Sequence, residues 1–242
     1  MKLTESVYLV GGSAYGISPA GDCNVYLINC RNGETALIDS GGGNGAQHIL
    51  RNIRNDGFET KKIKLNILTH CHFDHIGGAN EIKESTKCKL IAHKSDAASI
   101  TNLDENSLIN MARERGLFFK PPILDDYVED NEKIMIANTE IRILHTPGHT
   151  GGCISILFTE SDNYKSVFTG DIASTTGRLG FINGPGFDLT SWKQSIKCLI
   201  AEKPNRIYPG HGTFMLSSAL EDLKLTDAKM NAPWTNIVTA VG

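Results

Sequence analysis

Four times along this chain an apolar, strand-like run stops at a histidine or an aspartate. The runs end at "ILTHCHFDH" (67–75), "ILHTPGH" (143–149), "VFTGD" (167–171) and "RIYPGH" (206–211). Side chains just past a strand are held by the sheet behind them while their tips reach into loops, so segments remote in sequence can meet at one sheet edge. The fold must therefore align these four strand ends.

The surrounding pattern supplies such sheets. "SVYLVGG", "NVYLIN" and "TALIDSGGG" read as strands separated by turn residues. "GAQHILRNIRNDG" carries Ile49, Leu50 and Ile53 at helical spacing and stops at Gly57, after which "IKLNILTH" returns to a buried strand. A helix near "GGANEIKEST", a strand "KLIAH" and short helices from Ser95 to about Gly116 follow. Strands resume as "KIMIAN", "EIRILHTPGH", "CISILFTE" and "KSVFTGD". A helix "LTSWKQSIKCLIAE", a strand "RIYPGH" and a helix from about Ser217 to Met230 close the pattern. Each half has a group of strands followed by helix and strand alternation. The expectation is an α/β fold: two mixed sheets packed face to face with helices outside, a four-layer αββα sandwich. At 242 residues it is read as one domain over 1–242, with a helical and loop insertion around 95–130.

Seven residues carry the chemistry: His70, His72, Asp74, His75, His149, Asp171 and His211. Imidazole and carboxylate suit zinc first, with iron or manganese as alternatives, and the lack of cysteine among them argues against a closed structural site. Seven donors exceed one tetrahedral shell. Two neighbouring divalent ions sharing a carboxylate accommodate them and leave room for a bridging water.

"THCHFDH" resembles the HxHxDH signature of the metallo-β-lactamase superfamily, and "TPGHTGG", "FTGD" and "YPGHG" are similar to its later motifs in their usual order. Within that family the likeness is to glyoxalase II-like hydrolases and lactonases. The resemblance implies His70, His72 and His149 on one metal, Asp74, His75 and His211 on the other, and Asp171 between them. It also implies a supporting role behind a histidine for Asp39 of "ALIDSGGG". The implied reaction is hydrolysis of a thioester, lactone or other small ester by a hydroxide held between the metals, with Asp74 and Asp171 orienting the water and handling its proton. Two alternatives share the fold. A persulfide dioxygenase would use one iron on His70, His149 and Asp171, and a non-catalytic member would only bind metal. "GRLGF" departs from the "GRTDF"-like segment usual in the dioxygenases. The chain also ends about thirty residues after "PGHG", short of the helical substrate domain of a true glyoxalase II.

Other features bound the partners. With 24 basic and 27 acidic residues the net charge is −3, which leaves no footprint for nucleic acid or an anionic membrane. No apolar run is long enough to span a bilayer. Six cysteines at 23, 30, 71, 88, 153 and 198 never form CxxC, and no signal peptide opens the chain, so a cytoplasmic protein is expected. The expected partner is a small acyl substrate, with a homodimer left open as the assembly. "GLFFKPPILDDY" and "GRLGFINGPGFD" are the expected rims of the pocket, through Phe119, Lys120, Arg178 and Asn183. His48, His93 and His145 read as packing or surface residues. The stripe of Trp192, Ile196 and Leu199 reads as core.

Overall fold

The computed structural model describes residues 1–179 and 184–232. The β-branched and aromatic runs become strands, as their fit to a pleated surface dictates. In the first sheet β1 (Val7–Gly11), β2 (Val25–Asn29), β3 (Thr35–Ile38), β4 (Ile63–Ile67), β5 (Lys89–His93) and β6 (Asp126–Val128) lie side by side in chain order. β1 to β3 are antiparallel, and β3 to β6 are parallel. In the second sheet β7 (Lys133–Ile136), β8 (Thr139–His145), β9 (Ile154–Thr159) and β10 (Lys165–Gly170) form an antiparallel meander. β11 (Arg206–Pro209) joins β10 in parallel.

The inner faces of the two sheets make one core, where Tyr26, Ile28 and Ile38 of the first meet Ile143, Ile156 and Phe168 of the second. The alternate residues of the same strands face outward. Leu27 and Leu37 pack with Ile49 and Ile53 of α1 (Ala46–Asn55), and Val167 and Ile207 pack with Trp192, Ile196 and Leu199, in the helix that follows Asp188. Both faces of each sheet are thus covered, which is why the strands read as continuous apolar runs rather than as alternation. The layers are helix, sheet, sheet, helix, as the sequence predicts.

Between the strands run α2 (Phe73–Ile76), α3 (Ala79–Thr86), α4 (Lys94–Asn102), α5 (Ile109–Glu114) and α6 (Leu189–Glu202), and α7 (Ala219–Met230) follows β11. Two details differ from expectation. The segment predicted as an insertion ends in a strand, β6, whose residues pair with Ile91, Ala92 and His93 of β5. Three residues are too short to display a strand period. The short α2 begins directly after His72 and was also not predicted.

Strand direction positions the site. β8, β10 and β11 run the same way, since β8 and β10 are both antiparallel to β9, so the residues after them emerge at one end of the second sheet. β3 and β4 are parallel, so Asp39 and the His70–His75 loop likewise emerge together.

Candidate metal centre

All four strand-end segments converge. The donor atoms of His70, His72 and His149 lie within 4.8 Å of one another, as do those of Asp74, His75 and His211. His70, His75 and Asp171 form a third such group that joins the two triads. In the first triad His72 Nδ1 and His149 Nε2 face each other at 2.9 Å. In the second, His211 Nε2 lies 3.0 Å from Asp74 Oδ2 and 3.3 Å from His75 Nε2. Asp171 reaches both, 3.4 Å from His149 Nε2, 3.3 Å from His75 Nε2 and 3.4 Å from His211 Nε2. Gly210 permits this approach, because a Cβ there would lie 2.4 Å from Asp171 Oδ1 and 2.7 Å from His75 Cε1.

Asp39 sits behind the cluster, bonded to His75. His75 Nδ1 donates to its Oδ2 at 2.8 Å, which turns Nε2 toward the other donors. The same carboxylate accepts from Thr69, from the amide at 2.8 Å and from the hydroxyl at 2.9 Å. Asp39 adopts φ 63°, a left-handed conformation that aspartate tolerates better than most residues. Thr69, whose Oγ1 also lies 3.0 Å from His70 Nδ1, is a residue that sequence reasoning missed.

The donor set fits metal cations. His70 Nε2 is buried with no hydrogen-bond partner among the described residues, a costly state for a polar atom unless a Lewis acid fills the gap. Burial, with His75 and His72 beside it, holds His70 well below the usual histidine range, so its lone pair is free. Burial and the neighbouring His149 lower His72 to about 3. Burial works against charge on Asp171, but His211 and His75 outweigh it and hold the carboxyl well below its ordinary range. Asp74 is lowered in the same way, with burial opposed mainly by His75 and His211. Asp74 and Asp171 thus concentrate negative charge, and among the described residues no Lys or Arg pairs with either of them. Cys23 lies beside Asp39 and His75, but burial pushes its thiol up to about 12, so it stays protonated.

The sequence profile of the metallo-beta-lactamase superfamily matches residues 18–211, from before β2 to the last of the seven residues. The chain belongs to the metallo-beta-lactamase superfamily. It is 31% identical to a probable metallo-hydrolase of Methanocaldococcus jannaschii over 83% of this chain and 90% of that protein. It is 28% identical to a hydroxyacylglutathione hydrolase of Rhodospirillum rubrum over 81% of this chain, spanning 64% of that protein. Among solved structures it resembles the di-iron-bound form of TTHA1623, with TM-score 0.68 and 27% identity over 84% of this chain and 93% of that one. It also resembles a subclass B3 metallo-beta-lactamase of Bradyrhizobium japonicum, with TM-score 0.74 and 21% identity over 94% and 89%, which speaks to the fold alone.

In this superfamily member a cavity of about 380 Å³ opens over the cluster, lined by His72, Asp74, His149, Asp171, Ser174, Arg178 and His211 among others. Arg178 is thus one of the residues that line this cavity. Phe119 and Lys120 are not among its lining residues, which corrects the expectation. The apolar loop packs downward, with Phe119 against Phe73 and Ile109, while Lys120 is exposed and 3.9 Å from Glu84. Asn183 lies outside the described residues. A larger cleft of about 500 Å³, lined by Arg31, Lys133, Arg142 and Glu202, contains none of the seven residues. His93 is buried and His145 partly so, their rings stacked on each other 3.9 Å apart, and His48 is half-buried beside Arg51, all outside the cluster.

Proposed function

We propose that the protein is a dinuclear metal-dependent hydrolase that cleaves an ester-like bond in a thioester, lactone or other small acyl substrate. One observation carries this reading: a single carboxylate, Asp171, stands within 3.4 Å of His149 in one triad and of His75 and His211 in the other. His70, His72 and His149 would hold one ion, Asp74, His75 and His211 the second, and Asp171 both. Zinc suits these donors, with iron or manganese as alternatives. When bound, the ions supply an acidified water at neutral pH and positive charge toward the scissile carbonyl.

The chain's own groups do the rest. Asp74 and Asp171, both held ionised and both facing the cavity, accept hydrogen bonds from the attacking water, orient it, and return its proton to the leaving group. Asp39 and Thr69 hold the rings of His75 and His70 in register. Arg178 at the rim suits an anionic group on the acyl substrate. The cavity has the size of a small-molecule site, and a net charge of −3 gives no reason to place nucleic acid there. The family and the two hydrolase relatives support the reaction class. We place the protein in the cytoplasm, where its six free cysteines stay reduced. Among the described residues no helix is long and apolar enough to cross a membrane.

Metal analysis of the purified protein, with turnover followed in the absence of oxygen, tests this. The expected result is about two ions per chain and anaerobic cleavage of at least one thioester or lactone. One iron per chain with oxygen uptake on a persulfide replaces the reading with the dioxygenase. Full metal loading with thioesters, lactones and nitrocefin all uncleaved replaces it with a binding protein.

A further inference from the structure

We propose that Asp96 is a positioning residue that clamps the His70–His72 loop to the His149 loop and so sets the spacing of the first triad. It stands in the first turn of α4, within the segment that sequence reading assigns to an insertion, and it is 4% exposed. Its Oδ2 accepts the amide of Cys71 at 2.9 Å and the hydroxyl of Thr150 at 2.6 Å. Its Oδ1 accepts the amide of Gly152 at 2.7 Å. Cys71 is the residue between His70 and His72, and Thr150 follows His149. One side chain therefore fixes the backbone carrying two histidines to the backbone carrying the third.

The chemistry requires a carboxylate here. Three donors converge on two oxygens, and a side-chain amide would turn an NH₂ toward one of those donors. Gly152 is part of the same device, because a Cβ there would lie 2.5 Å from Asp96 Oδ1. Among the described residues no Lys or Arg forms an ion pair with Asp96, so its partners are the two loops. A group that orients the ligands of a metal tunes affinity by about 10- to 100-fold.

The proposal rests on the metal reading of the site, and its test separates the two. Zinc affinity and stoichiometry are measured by chelator competition on the wild type, Asp96→Asn, Thr150→Val and, as a control, Glu160→Gln. Glu160 is a buried carboxylate bonded to Tyr208 and Ser166, at the end of β9 and β10 away from Asp171. Asp96→Asn is expected to weaken one of two zinc sites by about 10-fold or more. Thr150→Val should weaken the same site by a smaller factor, and Glu160→Gln should keep both wild-type affinities at whatever stability it retains. A folded Asp96→Asn protein with two wild-type affinities overturns the proposal alone. Should that variant fail to fold, unchanged affinity in Thr150→Val overturns it. Equal loss of affinity in Glu160→Gln also overturns it, since general loosening would then account for the effect. A wild type that binds no zinc, iron or manganese removes the metal reading and this proposal with it.

Discussion

An aspartate at 171 is short enough to stay rigid and has two oxygens to divide between two triads, which a histidine lacks. Removing it takes away the carboxylate that lies within 3.4 Å of His75, His149 and His211 together. Asp171→Ala and His72→Ala are each expected to lower metal content per chain and to reduce turnover about a hundredfold or more, measured by metal analysis and initial rates on one preparation. Wild-type metal content with full activity in either variant refutes the assignment. Replacing Asp39 acts one step back: Asp39→Asn keeps the size but presents an amide where His75 Nδ1 and Thr69 both donate. Chelator competition should then find affinity at the second triad lower by about 10- to 100-fold. The seven donors are legible in the sequence because they follow strand signals and are of types with few bland roles in combination, whereas Asp39 is legible only through the resemblance to the superfamily. Thr69 and Asp96 are not, since a threonine and a helix-borne aspartate acquire meaning only through the tertiary bonds at their tips.

At the scale of elements, the strands that carry donors hold buried apolar pairs, Ile143 and Leu144 in β8, Val167 and Phe168 in β10, Ile207 and Tyr208 in β11, so they declare themselves. β6 has three residues and two of them are exposed, and α2 consists of Phe73, Asp74, His75 and Ile76, where the donors themselves replace any apolar period. The loop around Phe119 shows a related limit. An apolar, proline-containing segment reads equally as a pocket wall or as packing, and here Phe73 and Ile109 offer it a surface below. α6 is the opposite case, since Trp192, Ile196 and Leu199 form the buried stripe that the periodicity predicts. It also reaches the site: the Trp192 indole donates to the carbonyl of Ile172, the residue after Asp171. Trp192→Phe keeps the apolar ring and deletes that donor, so it should cost about 1 to 3 kcal/mol in urea unfolding. An unchanged midpoint and slope would show that the bond does not hold the loop.

For the molecule as a whole, the metal centre ties both sheets together, because its donors come from the ends of β4 in one and β8, β10 and β11 in the other. Ions bound only by the folded state stabilise it by mass action, about 2.7 kcal/mol at a hundred times the dissociation constant. Chelation is therefore expected to lower Tm by about 5 to 10 °C, and a Tm indifferent to chelator would argue against ligation across the sheets. The metal-free protein should also respond to acid through His93, which is not one of the seven donors. This ring ends β5, accepts the amide of Ser95 at 3.3 Å on Nδ1, and stacks on His145. Burial, reinforced by His145 and Lys94, lowers it to about 4. The unfolded chain takes up that proton near pH 6.5 and the folded chain only near pH 4, so between these values the unfolded state binds more protons. The contribution is thus complete above pH 6.5 and is lost as pH falls toward 4. His93→Phe preserves a ring against His145 and removes the titration, leaving every other group common to both proteins. Urea unfolding of the two chains at steps from pH 7 to pH 4.5 should show the wild type losing stability faster than the variant. Parallel curves would mean that His93 titrates alike in both states, and that its burial exerts no hold on the proton.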